Sequence, residues 1–361
     1  MLKYYKIRLF TGSLLNPSIL GNYTTKILEI SSNKNWGKLV EVIVPFGEIG
    51  KIQKEMVKHY DDPAPWYFDG ESIENTNKIL CGFGSDDGDG GKLFVFDKGD
   101  LETYSNILVY GINCGIPIEV MDFLGLFKNI PNLIRVALEK EIDQKYKIGS
   151  YNYFKEKVNI IGVRAPIVDR IAKKYFILIK LFPKENIFEL CEELLAKQTL
   201  EESGLSLNWV FRLKKQFESK DFFVFESWFK KYVTNWATCD DLCTHPLGHF
   251  LLQYPEHLSK LKGWANSSNM WLRRASAVSL IPSVCIGKNI NHAFVIADTL
   301  LVDKEDLVQK GYGWMLKEMT KFDSELVFNY VMQNKKIMPR TALRYAIEKL
   351  PEKMKKEAMA S

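Results

Sequence analysis

The sequence predicts a mainly α-helical chain in which a C-terminal α-solenoid follows a small α+β domain. Strand-like alternation is confined to the first 127 residues. After residue 128, amphipathic helical segments follow one another through short loops. The charge reverses at the same place: residues 1–127 carry 12 Lys+Arg against 17 Asp+Glu, and the remainder carries 37 against 27. A boundary near Phe127 is therefore expected to separate an acidic module, 1–127, from a basic one, 128–361. A basic face suits a polyanion such as a nucleic acid, although a solvated lysine-rich helix face gives the same count.

The elements read in order as follows. KYYKIRLF (3–10), TKILEI (25–30) and KLVEVIV (38–44) alternate or are β-branched, as strands are. EIGKIQKEMVKH (48–59) has helical periodicity. CGFGSDDGDGG (81–91) is a turn cluster leading into the strand KLFVFD (92–97), and DLETYSNILVY (100–110) is a helix that Gly111 or Gly115 would end. Helices are then expected at 131–142, 166–176, 186–196, 222–233, 236–243, 270–280, 306–319 and 339–350. WLRRASAV, LVQKGYGW and PRTALRYA share a small, basic, apolar texture at roughly the spacing of a helical-pair repeat, as in HEAT-like solenoids.

Length and composition limit the classes. The chain has 361 residues, 46% hydrophobic and 26% charged, enough for two domains with sizeable cores. No apolar run approaches the roughly 20 residues needed to cross a bilayer, so no membrane role is expected. The N-terminus reads as a strand and not as a leader. The six cysteines are scattered, which fits a reduced, cytoplasmic setting.

Four side chains stand out: Trp236 and Asp240 in WATCD, Arg274 in WLRR and Trp314 in GYGW. Trp236 and Asp240 are four apart, so a helix puts them on one face. An indole beside a carboxylate attracts a cation. A positively charged, damaged base is such a cation, and on cleavage from its sugar it leaves as a neutral molecule. The sugar then gains positive charge that a nearby carboxylate stabilises, and the same carboxylate can orient water.

Residues from about 130 to 350 resemble the HEAT-like DNA alkylation repair glycosylases of the AlkD type. The resemblance is carried, in order, by YFKEKVNIIGVRAP (153–166), WATCD running into LGHFLLQYPE (247–256), WLRRA (271–275) and GWMLKE (313–318). It implies a monofunctional glycosylase of base excision repair acting on double-stranded DNA that contains alkylated bases. No metal or organic cofactor is implied. Asp240 takes the place of the catalytic carboxylate, and Trp236 and Trp314 that of the aromatic pair on the lesion-bearing nucleotide. Arg274 matches a cation holding the DNA backbone, with Arg273 beside it competing for that role. Lys317 stands where an arginine is usual and would touch phosphate. Tyr153 aligns with an aromatic of the concave face. Two positions depart from the pattern: Ala237, where an acidic residue is frequent, and Arg164, where a smaller polar side chain is. Both bear on substrate range. The family also implies a nucleoid-associated setting.

Bland readings compete with each of these. Trp236, Trp271 and Trp314 could be core residues, Asp240 a surface acid like Asp241, and Arg274 a solvated arginine. Lys173, Lys174, Lys214 and Lys215 suit phosphate or solvent equally. Cys239, Cys243, His245 and His249 are too compressed along one helix to form a zinc tetrahedron. The run SDDGDGG (85–91) lacks the ligand alternation of a calcium loop. Residues 1–127 show no legible chemistry and would serve a protein partner or extend the DNA surface. The other functional readings are a non-catalytic binder of distorted or branched DNA and a HEAT-type protein scaffold.

Overall fold

The structure, a computed structural model, describes residues 3–57, 66–84 and 91–360. It divides into two compact units: residues 1–130 with 174–182, and residues 131–173 with 183–361. The run SDDGDGG (85–91), set aside above as a calcium loop, lies almost wholly outside the described residues, as does the end of the helix expected at 48–59.

The first unit holds a six-stranded antiparallel sheet: β1 (Tyr4–Phe10), β2 (Thr24–Ile30), β3 (Lys38–Pro45), β4 (Tyr67–Ser72), β5 (Lys78–Phe83) and β6 (Leu93–Asp97), in the order β2-β3-β1-β4-β5-β6. The register pairs Tyr5 with Val44, Ile7 with Val42 and Leu9 with Val40. All six side chains are buried on one face, where Ile49 and Ile52 of the helix Ile49–Glu55 join them. Alternation thus puts every second residue of β1 and β3 into the core. Strands β4 and β5 carry no such signal: YFDGES is interrupted by Asp69 and Gly70, and both strands are buried on both faces. Gly70 is required by close approach, because a Cβ there would stand 2.3 Å from the carbonyl oxygen of Lys6 on β1. β2 is the edge, exposed along its whole length, with a bulge at Leu28. The helix Leu101–Asn113 is capped by Asp100, whose carboxylate accepts the backbone N–H of Thr103 at 3.0 Å. Gly115, at φ +83°, follows its end.

Residues 174–182 pack within this unit although the sequence places them in the second. They form the later part of the helix Ala165–Ile179 and the turn after it. Phe182 stacks on Phe127, and Ser105 donates to the carbonyl of Ile177 at 2.9 Å.

The second unit is helical. The helices Leu200–Arg212, Trp236–Leu242, Met270–Val278, Asp306–Met319 and Arg340–Ala346 pack each on the next as an inner row. The helices Lys184–Ala196 and Asp221–Tyr232 pack together in an outer row, as do Leu258–Ala265 and Ile290–Leu300. This is the layered arrangement of a solenoid, each pair burying its apolar side against its neighbours. Its core includes Trp209, Trp228, Phe225 and Phe250. The helix expected at 131–142 instead spans Leu126–Glu139 with Pro131 inside it. No helix of the described residues is long and apolar enough to cross a membrane.

Candidate active site

The Trp236 helix begins at Asn235, whose side chain caps it by accepting the N–H of Thr238 at 2.9 Å. It runs into a π-helical turn over Cys243–Leu247 that contains Pro246; such turns often mark functional places. Trp236 is held from three sides. Its ring stacks on Phe154 at 5.2 Å, its indole N–H donates to the carbonyl of Tyr153 at 3.2 Å, and its backbone N–H donates to Glu156 at 3.2 Å.

One turn on, Asp240 meets Arg274 of the neighbouring helix. Arg274 Nε donates to Oδ1 and Nη2 to Oδ2, each at 2.8 Å. Nη1 donates to the carbonyl of Leu307. Arg274 as a whole is 5% exposed. Gly311 in GYGW packs beside it: a Cβ there would lie 3.2 Å from Arg274 Cγ, so a larger residue would make the arginine stem shift by a few tenths of an ångström. Gly313 has a separate reason, since a Cβ would stand 2.8 Å from the carbonyl oxygen of Ala342 on the next helix. Burial raises the Asp240 carboxyl above its ordinary 3.8, against the opposing pull of Arg274.

These residues line a cleft of about 360 Å³ that Tyr153, Trp236, Asp240, Arg274, Trp314 and Lys317 share. Trp314 donates its indole N–H to Glu318 at 3.1 Å and is half-buried. Lys317 pairs with Glu348 at 3.3 Å. Tyr153 is 76% exposed. The cleft also takes in Lys155, Glu156, Lys310 and Tyr345, which the sequence reading did not single out. Lys155 and Lys310 both reach Asp306 at 3.1 Å. Lys155 stands two residues from Tyr153 in a motif already flagged, and that proximity was the available signal. Lys310 lies on the face of Trp314, four residues before it.

Two expected residues do not line this cleft. Arg164 forks onto Asp143 at 2.9 and 3.2 Å and lies over the ring of Tyr146. Arg273 bonds Asp303 at 2.7 Å and the carbonyls of Ser267 and Ser268. Arg274 differs from its expected role as a phosphate contact, because the bonds above engage Nε and both terminal nitrogens and its side chain is buried. Of the compressed Cys/His set, Cys239 and Cys243 are buried and donate to the carbonyls of Trp271 and Ala275. His245 bonds Asp241 through Nδ1 at 2.7 Å.

A family model described as DNA alkylation repair enzyme matches residues 134–350. Among solved structures, a predicted DNA alkylation repair enzyme from Enterococcus faecalis aligns with a TM-score of 0.53 at 16% identity, covering 59% of this chain and 98% of that one; the likeness is one of fold. The Pseudomonas fluorescens alkylpurine DNA glycosylase AlkC, bound to DNA containing an abasic site analog, aligns with a TM-score of 0.39 at 16% identity, covering 65% and 66%. No curated protein matches the chain.

Proposed function

The chain belongs to the DNA alkylation repair enzyme family, and from that premise we propose that it hydrolyses the N-glycosidic bond of N3- and N7-alkylated purines in duplex DNA. The observation that carries the reading is the carboxylate of Asp240, fixed in a cleft that Trp236 and Trp314 also line.

The chemistry follows from the charges. The alkylated base is a cation, attracted to indole faces and to a carboxylate. As the C1′–N bond breaks, its electron pair goes to the base, which leaves neutral, and the positive charge moves to the sugar. Asp240 stabilises that charge. Water, oriented by the carboxylate, then bonds to C1′ and releases its proton to solvent. Arg274 occupies one acceptor site on each carboxylate oxygen, and each oxygen keeps another. The arginine sets the plane of the carboxylate and keeps it ionised despite burial. The pair is neutral overall, so the stabilisation depends on the sugar lying closer to the carboxylate than to the guanidinium. Arg274 is therefore a positioning residue. The phosphate contacts fall to Lys155, Lys310 and Lys317 on the same cleft. No lysine is assigned as a nucleophile, so strand cleavage by lyase chemistry is not part of the proposal.

The test is release of free methylated purine from alkylated duplex DNA, followed chromatographically beside the Asp240→Asn variant. Duplex binding without release by the wild type would leave a non-catalytic binder. Absence of salt-sensitive DNA binding would leave a protein scaffold.

A further inference from the structure

A second cavity, of about 610 Å³, lies in the helical unit between the helices Gln144–Ser150, Ala165–Ile179, Leu200–Arg212 and the Trp236 helix. It shares Trp236 and Tyr153 with the cleft, so the two spaces adjoin. Its size falls in the roughly 300–1,000 Å³ range of small-molecule sites. Half-buried aromatics line it: Tyr146, Phe154, Phe211 and Trp236. Asp241 and His245 also line it. Their 2.7 Å bond fixes Nδ1 of the imidazole, and Nε2 has no protein partner among the described residues. Such a nitrogen offers one hydrogen bond to an incoming polar edge, and Asp241 offers acceptors.

Two small residues keep the space open. Gly204 sits inside the helix Leu200–Arg212, where glycine is unfavourable. A Cβ there would meet only Asp241 Oδ2, at 3.9 Å, so packing does not require the glycine. Ala237 lies on the Trp236 helix beside the aromatic wall. An unforced glycine, a short side chain, several aromatic faces and one polar pair together describe a slot for a flat ring with a hydrogen-bonding edge.

We propose that this cavity binds a purine-sized aromatic ring, packed among Phe154, Phe211 and Trp236 and read at its edge by Asp241 and His245. The ring comes either from a base displaced out of the bound duplex or from the free base after release. The proposal rests on the base-excision reading only for the choice of ring.

The test uses the full chain and no turnover. Adenine is titrated into the wild type, Gly204→Phe and Ala237→Leu, with binding followed by saturation-transfer NMR and tryptophan emission. In parallel, a duplex carrying one 2-aminopurine is titrated and its emission recorded. Circular dichroism checks that each variant is folded, and Ala237→Leu serves if Gly204→Phe is not. Saturable adenine binding weakened at least tenfold by filling the cavity supports a free-base site. A rise in 2-aminopurine emission that filling abolishes supports a displaced-base site. If neither signal appears in the wild type, or both persist unchanged in the filled variants, the proposal is overturned. Since both probes are undamaged bases, a negative result here leaves excision of alkylated purine, measured separately, unaffected.

Discussion

The guanidinium of Arg274 grips both carboxylate oxygens of Asp240 at 2.8 Å, joining two adjacent helices of the inner row. A lysine cannot reproduce that fork, since its ammonium is a point charge. Arg274→Lys is expected to slow excision by about 10–100-fold, because the carboxylate loses its fixed orientation. Arg274→Ala is expected to cost about 3–5 kcal/mol of stability, as it leaves a buried charge unpaired. Single-turnover excision and thermal unfolding read the two effects.

Asp240→Asn is expected to lower single-turnover excision by roughly 10²–10³-fold, about 3–4 kcal/mol, by removing the negative charge facing the sugar. Duplex affinity should change little, because the proposal assigns the phosphate contacts to lysines and none to Asp240. Wild-type excision by this variant would exclude Asp240 from catalysis.

Salt dependence separates the cations of the cleft. Lys310→Ala is expected to flatten the log–log salt slope of duplex affinity by about one, the signature of a lost phosphate contact. Arg274→Lys should leave the slope unchanged. A slope change at Arg274 equal to that at Lys310 would return Arg274 to the phosphate-holding role that the sequence suggested.

The acid limb of excision should lie above the ordinary aspartate value. Burial raises the Asp240 carboxyl, so it takes up its proton at a higher pH than a free aspartate. Activity needs the ionised form and falls as pH drops through that raised value. The sign for stability is opposite. A raised carboxyl favours the folded state at low pH, and this contribution is lost as pH rises through the folded value. A pH–rate profile under single-turnover conditions measures the limb, and Asp240→Asn should abolish it.

Removing Trp236 should loosen the segment that covers it. Trp236→Ala loses the stack on Phe154 and the bond to the Tyr153 carbonyl, at a cost of about 2–3 kcal/mol for a half-buried tryptophan. Trp236→Phe should retain part of both stability and activity. Tryptic cleavage at Lys155 and Lys157 should quicken in the alanine variant, as mass spectrometry of timed digests would show.

Patterns of short range were legible in the sequence, and those of long range were not. The one-turn spacing of Trp236 and Asp240 predicts their shared cleft, and period-2 alternation marks β1 and β3. The fork between Arg274 and Asp240 spans 34 positions, and no periodicity reports it. The backbone-holding role came from the resemblance, which matches residues one position at a time and carries no information about which side chains meet across 34 positions. Strands β4 and β5 escaped notice because burial on both faces removes alternation. A boundary drawn where charge reverses, near Phe127, misses residues 174–182. These residues continue a helix without any break in pattern, and only their packing partners assign them. A fragment starting at residue 128 would uncover Leu178, which is buried in the full chain and lies beside Tyr104, Leu108 and Leu126.

The edge strand β2 has a practical consequence for handling this protein. Ile27, Leu28 and Ile30 are solvent-exposed on a strand that has no neighbour on its outer side among the described residues. An unpaired ladder of this kind is a template for self-association at high concentration. The bulge at Leu28 interrupts that ladder, and Lys26 places a charge on it. Replacing Ile30 by lysine would extend the same protection towards the end of the strand. Preparations of that variant concentrated for scattering or crystallisation are expected to stay monodisperse to a higher protein concentration than the natural sequence does.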